Sequence, residues 1–219
     1  MNLRLLQLAS PSLPVGAYSY SQGLESAVEA GIVTDAPSAE AWIGDVLDLS
    51  LASLEAPVLL RLIAAWKAGD LEAVARWNTE FVASRETAEL RAETLQMGYS
   101  LRNLLRDVIP ATAGTQPEME ELSYPAAYAY AIAQWTIDAR EAVETYLFSW
   151  LENQMLAALK CVPLGQTDGQ RLLLALADRI PAAVERATAL GDDDLTNFVP
   201  GLAILSARHE TQYSRIFRS

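Results

Sequence analysis

A chain of 219 residues with 51% hydrophobic content can bury a sizeable core, as one large domain or two small ones. Alanine and leucine dominate and β-branched residues are thin, which favours an all-helical fold. A net charge of −12 excludes phosphate-backbone binding, and one cysteine (Cys161) with one histidine (His209) excludes an internal disulfide or a tetrahedral zinc site within one subunit.

Residues 1–8 are too short and too interrupted for a secretory core, and no apolar run approaches the ~20 residues that span a bilayer. The expectation is a soluble, cytoplasmic protein that binds neither nucleic acid nor membrane. After residue 9, Ser10-Pro11-Ser12-Leu13-Pro14-Val15-Gly16 forms a turn segment. A helix through Leu24, Ala27 and Val28 follows, and Gly31 ends it. Thr34-Asp35-Ala36-Pro37 opens the next, whose apolar positions Trp42, Ile43, Val46, Leu47 and Leu49 keep helical period. Pro57 predicts a third helix closing at Gly69, and Asp70 caps a fourth through Val74, Trp77 and Phe81. Residues 84–108 read as one long helix stopped by Pro110, with Glu86, Glu89 and Glu93 complementing its dipole.

Residues 111–123 lack periodicity and are expected to form a mobile surface loop. Helical pattern resumes from Pro125 to Trp135. Asp138 then opens a helix to Cys161 that is apolar around most of its circumference. Such a helix is buried by the core or by a second subunit, and Tyr146, Trp150 or their neighbours would lie near the centre of a dimer. Pro163-Leu164-Gly165 breaks the chain, Thr167-Asp168-Gly169-Gln170 resembles a capping box, and Pro181 ends or kinks the next helix. The triplet Asp192-Asp193-Asp194 reads as loop and helix-start acids, and Pro200 opens the last helix. The whole reads as one all-α domain, 1–219, a bundle of roughly eight to ten helices.

Little here supports catalysis. A nucleophile would need His209, too near the end to be pre-organised. The glycine loop before Thr167 lacks the Gly-Lys-Ser/Thr of a phosphate cradle and carries Asp168 where phosphate would sit. Lys160, one of two lysines, ends an apolar helix, where it either complements the dipole by ~0.3–1 kcal/mol or holds a charge at a partner surface. Residues 208–219 carry three arginines against one glutamate, a local charge of +2 on a remainder of −14. The spacing of Tyr213, Ile216 and Phe217 predicts one helical face. Too short to hold a helix alone, this tail is expected to be mobile or held by a neighbour, and to order on a partner.

Three blocks carry a family resemblance. The stretch 6–25 (LQLASPSLPVGAYSYSQGLE), the stretch 160–170 (KCVPLGQTDGQ) and the stretch 206–219 (SARHETQYSRIFRS) resemble, in order and spacing, the signatures of UreF-type urease accessory proteins. Ser84-Arg85-Glu86-Thr87 adds a weaker match, residues 36–75 and 110–135 match only in helical character, and Cys161 and Leu164 replace other apolar residues. The resemblance implies an all-helical homodimer with no catalysis, cofactor or metal site of its own. It implies a nickel-insertion scaffold that bridges UreD (UreH in some organisms) and the GTPase UreG on apo-urease, with the C-terminal segment ordering against UreD. The partner-binding candidates are Arg208, His209, Glu210, Tyr213, Arg215, Ile216, Phe217 and Arg218 in the tail. To these are added Lys160, Gln166 and Gln170 at the central break, and Tyr18, Ser21 and Glu25 in the first block. The alternative implied is a regulator of GTP hydrolysis on UreG, which requires a cation reaching the γ-phosphate. Single-turnover hydrolysis by UreG with and without the chain separates the two.

Overall fold

The computed structural model describes residues 2–109 and 121–219, and the regular structure within them is entirely helical. The helices are α1 (Leu3–Ala9), α2 (Leu24–Glu29), α3 (Ala36–Val46), α4 (Ala56–Ala68), α5 (Leu71–Ala83), α6 (Ala88–Val108), α7 (Tyr124–Gln134), α8 (Ala139–Cys161), α9 (Gln166–Ala177), α10 (Ile180–Ala189) and α11 (Pro200–His209). Nine of these have ten residues or more. The all-α expectation holds.

Caps place most of the helix starts. Asp35 accepts from the Ser38 N–H while the Ser38 hydroxyl faces the Asp35 N–H, a reciprocal capping box. Asp70, Thr87, Ser123 and Asp138 each accept from the backbone N–H three residues on. Two starts differ from expectation. α6 starts at Ala88 behind its cap Thr87 rather than at Ser84, which leaves Glu86 outside the helix. In α9 the helix begins at Gln166 behind Gly165, so Thr167 lies inside the first turn and caps nothing.

Pro57 stands in the first turn of α4, as its sequence position predicts, but the chain ahead of it is already helical. Between α3 and α4, Leu47–Glu55 is wound as a π-helix, its last turn closed by the Ala56 N–H on the Leu51 carbonyl. Proline cannot donate to the Ser53 carbonyl four residues back, and the Thr196 N–H takes that acceptor at 3.2 Å. Continuity through Pro57 is thus supported from outside the helix.

α4, α7 and α8 form the centre, with α5 and α6 packed on one side and α1, α2, α9 and α10 on the other. Trp66 donates its indole N–H to the Ala126 carbonyl at 3.0 Å, and Tyr128 its hydroxyl to the Ala142 carbonyl at 2.9 Å. α6 passes so close to the start of α7 that a Cβ on Gly98 would stand 1.9 Å from the Leu122 carbonyl oxygen. Val143, Tyr146, Leu147 and Leu151 of α8 are all buried by the chain itself. Tyr146 is therefore core and drops out of the residues expected at a dimer centre, whereas Trp150 is half-buried and Phe148 exposed. The expected loop 111–123 lies outside the described residues up to position 120. Its last two residues, Leu122 and Ser123, are buried, and Asn78 brackets this end by bonding the Glu121 carbonyl and the Ser123 N–H.

Candidate functional site

α11 brings the C-terminal segment back across the N-terminal block. Its approach depends on Gly23, whose φ of +80° is left-handed and whose Cβ, if present, would stand 3.0 Å from Leu202 Cδ1. Past His209 the chain makes one turn, with the Gln212 N–H on the His209 carbonyl, and leaves the helix. Tyr213, Ile216 and Phe217 therefore do not share a helical face. Tyr213 and Ile216 are exposed, while Phe217 is 5% exposed and Ser219 fully buried.

The reason lies in where the tail's backbone groups go. The Ile216 and Phe217 N–H groups donate to the two carboxylate oxygens of Glu25 at 2.7 and 2.9 Å. Arg218 N–H reaches the Ser19 carbonyl at 2.8 Å. The Ser219 main-chain oxygen accepts from the Ser21 N–H at 2.7 Å, the Ser21 hydroxyl at 2.6 Å and the Gln22 N–H at 3.1 Å. A helix would have spent these groups on itself.

Side chains reinforce the seam. His209, fully buried, lies between Glu25 (3.1 Å from Nε2) and Glu89 (2.6 Å from Nδ1), and Arg215 donates to the other Glu89 oxygen at 2.6 Å. Glu210 accepts from the Ala88 N–H at 2.9 Å, adding a negative charge at the start of α6. Lys160 holds its ammonium 4.9 Å from the centre of the Phe217 ring, a cation–π contact that links the central break to the tail. The Arg218 guanidinium lies beside the Tyr20 hydroxyl, which burial pushes above its ordinary range.

Beneath the tail, Glu93 accepts from Gln22 Nε2 at 2.7 Å and from the Ser219 hydroxyl at 2.8 Å. Burial raises its carboxyl to about 7, and those two hydrogen bonds act against the rise. Gln22 is held at φ +52° in the left-handed region, and its side-chain oxygen accepts the Trp150 indole N–H at 2.6 Å. Gln22 and Glu93 line one wall of a cleft whose other walls carry Glu55, Arg85, Tyr124 and Tyr146. There Tyr146 donates to Glu55, and Arg85 pairs with Glu55 at 3.3 Å while its own Nε remains buried without a partner. Cys161, whose thiol burial pushes up to about 11, stays protonated.

The structure thus joins three sequence-distant stretches: the first block (Ser19, Ser21, Glu25), Lys160, and the tail (His209, Arg215, Phe217, Arg218). Ser21 and Glu25 are buried rather than surface contacts, whereas Tyr18 beside them is exposed. Gln166 and Gln170 are exposed on the first turns of α9, and no hydrogen bond ties either to the tail among the described residues. Arg208 is exposed at the end of α11. Sequence reasoning missed Gln22, Glu89 and Glu93. The two glutamates read as helix-dipole acids, and the available signal was their four-residue spacing, which puts both on one face of α6. Asp192 pairs with Arg61 at 2.6 Å in a surface contact.

The model of the UreF family matches residues 33–177. Across 99% of its length the chain is 56% identical to a protein of Azoarcus sp. (strain BH72), covering 95% of that protein, and 53% identical to one of Dechloromonas aromatica (strain RCB), covering 96%. It is 51% identical to one of Methylobacillus flagellatus over 99% of the chain and 97% of that protein. All three bear the name urease accessory protein UreF.

Proposed function

Because the chain belongs to the UreF family, we propose that it acts in urease maturation as a non-catalytic scaffold, bridging UreD (UreH) and the GTPase UreG on apo-urease. One observation carries the reading. The first block, Lys160 of the central block and the tail, far apart in sequence, fold into one patch whose inner side is hydrogen-bonded and whose outer side is exposed. On that outer side Tyr18, Tyr213 and Ile216 expose apolar surface beside Lys160, Arg208, Arg215 and Arg218. Exposed apolar side chains together with exposed cations, on a chain of net charge −12, suit docking to an acidic protein partner.

In this reading the tail meets UreD, and Lys160 with Gln166 and Gln170 serves the UreG side. Nickel is cargo, delivered to urease through the assembled complex. The reading includes pairing of two copies, for which exposed Leu3 and Leu6 of α1 and Phe148 of α8 supply apolar surface. Light scattering on the purified protein reads the copy number, and a monomer at tens of micromolar removes the pairing.

The test of docking uses side chains that support nothing in the fold. A Tyr213→Ala, Ile216→Asp double variant is expected to melt with the parent but to lose co-purification with UreD and support of urease activation. Capture of UreD at parental levels by this variant overturns the assignment.

A further inference from the structure

Glu25 stands in the first block as a candidate partner contact, yet it is 7% exposed and both its oxygens are occupied. Oε1 accepts the Ile216 N–H at 2.7 Å; Oε2 accepts the Phe217 N–H at 2.9 Å and faces His209 Nε2 at 3.1 Å. Two consecutive backbone N–H groups converging on one carboxylate is an anion-binding geometry, and here the anion belongs to the same chain. The neighbouring bonds extend the hold, since Arg218 N–H meets Ser19 and His209 reaches on to Glu89 and thus to Arg215. Along the segment exposure then alternates: Ile216 out, Phe217 in, Arg218 out, Ser219 in.

We propose that Glu25 is a positioning residue for the C-terminal segment. It fixes the backbone of residues 216–218, aims Ile216 and Arg218 outward, and meets no partner itself. What the segment is for rests on the docking reading above; what Glu25 does to it does not. A glutamine here keeps the size but replaces one oxygen by an amino group. Whichever way that amide turns, one of the two tail N–H groups faces a donor.

Amide exchange followed by NMR on the full-length protein tests this directly. In the parent the N–H groups of Ile216, Phe217 and Arg218 should be protected, and those of Tyr213 and Ser214 should not. In Glu25→Gln the Ile216 and Phe217 amides should exchange at least ~10-fold faster, as expected for loss of a buried charge-assisted hydrogen bond, while core amides such as Leu59 and Leu101 keep their parental rates. Parental rates at 216 and 217 in the variant overturn the proposal. So does a parent in which these two amides exchange as freely as Tyr213, a measurement that needs no variant to fold. Capture of UreD by the same samples keeps the two ideas apart. Faster exchange with capture lost is the expected result, and faster exchange with full capture leaves Glu25 as the anchor and removes the docking role from the segment.

Discussion

Glu93 is a carboxyl whose behaviour is decided by what covers it. Its burial under the tail raises its pKa from 4.5 to about 7, so the folded chain holds a proton there that the unfolded chain has released between those values. With more protons bound in the folded state, stability falls as pH rises from about 4.5 and levels off above about 7. The full swing is on the order of 3 kcal/mol at ~1.36 kcal/mol per unit. Glu93→Gln removes it while keeping the local bonds, because the amide oxygen can accept from Gln22 and the amide nitrogen can donate to the Ser219 hydroxyl. We expect the variant to exceed the parent in stability at pH 8 and to approach it near pH 5. Urea unfolding at several pH values checks this; parallel curves for the two proteins would remove the proposed linkage. Glu55, on the facing wall of the same cleft, accepts from the Tyr146 hydroxyl and pairs with the Arg85 guanidinium.

At the scale of elements, two glycines separate backbone strain from packing. Gly23 and Gly31 both lie at positive φ, +80° and +71°, but only Gly23 has a neighbour, the α11 side chain of Leu202, against the place a Cβ would occupy. Alanine at either site meets the left-handed penalty of ~1–2 kcal/mol. At Gly23 it must also displace the end of the Leu202 side chain on α11 by a few tenths of an ångström, so Gly23→Ala is expected to lower the melting temperature further than Gly31→Ala. Equal losses in calorimetry would mean that α11 does not press on Gly23. The π-wound Leu47–Glu55 makes a related point. Its continuation past Pro57 depends on a distant N–H from Thr196, so the two stretches are coupled although nothing in their sequences says so.

For the whole molecule, the C-terminal segment is a structural part of the body as well as its candidate docking surface. Sequence alone suggests that removing the tail leaves thermal stability nearly unchanged. The structure implies the opposite, because deletion of residues 210–219 removes buried Phe217 and strips Ser21, Glu25 and Glu93 of their partners. Burying a phenylalanine contributes ~1.5–3 kcal/mol, and at ~2–4 °C per kcal/mol for a chain of this size a loss of about 3–12 °C follows. A melting temperature within one degree of the parent would show that the segment does not pack in solution. The surface substitutions at Tyr213 and Ile216 should leave the melting temperature alone, which is why they, and not the deletion, test docking.

The amino-acid order by itself determined the helical class, most helix starts and the identity of the signature blocks. Those signals are local: a cap such as Asp35 or Asp138 acts over three residues, and apolar period is read within a few turns. Tertiary structure alone decided that Val143, Tyr146, Leu147 and Leu151 of α8 are enclosed by their own chain and that a π-wound stretch runs into α4 ahead of Pro57. It also turned Glu89 and Glu93 inward to the tail instead of leaving them as dipole acids in water. Ser21 and Ser219 meet across 198 positions, and no periodicity carries that information. The tail follows the same logic. Its spacing fits a helix, but carboxylates and carbonyls from the first block offered its N–H groups better-placed acceptors, and the backbone took the non-helical course that reaches them.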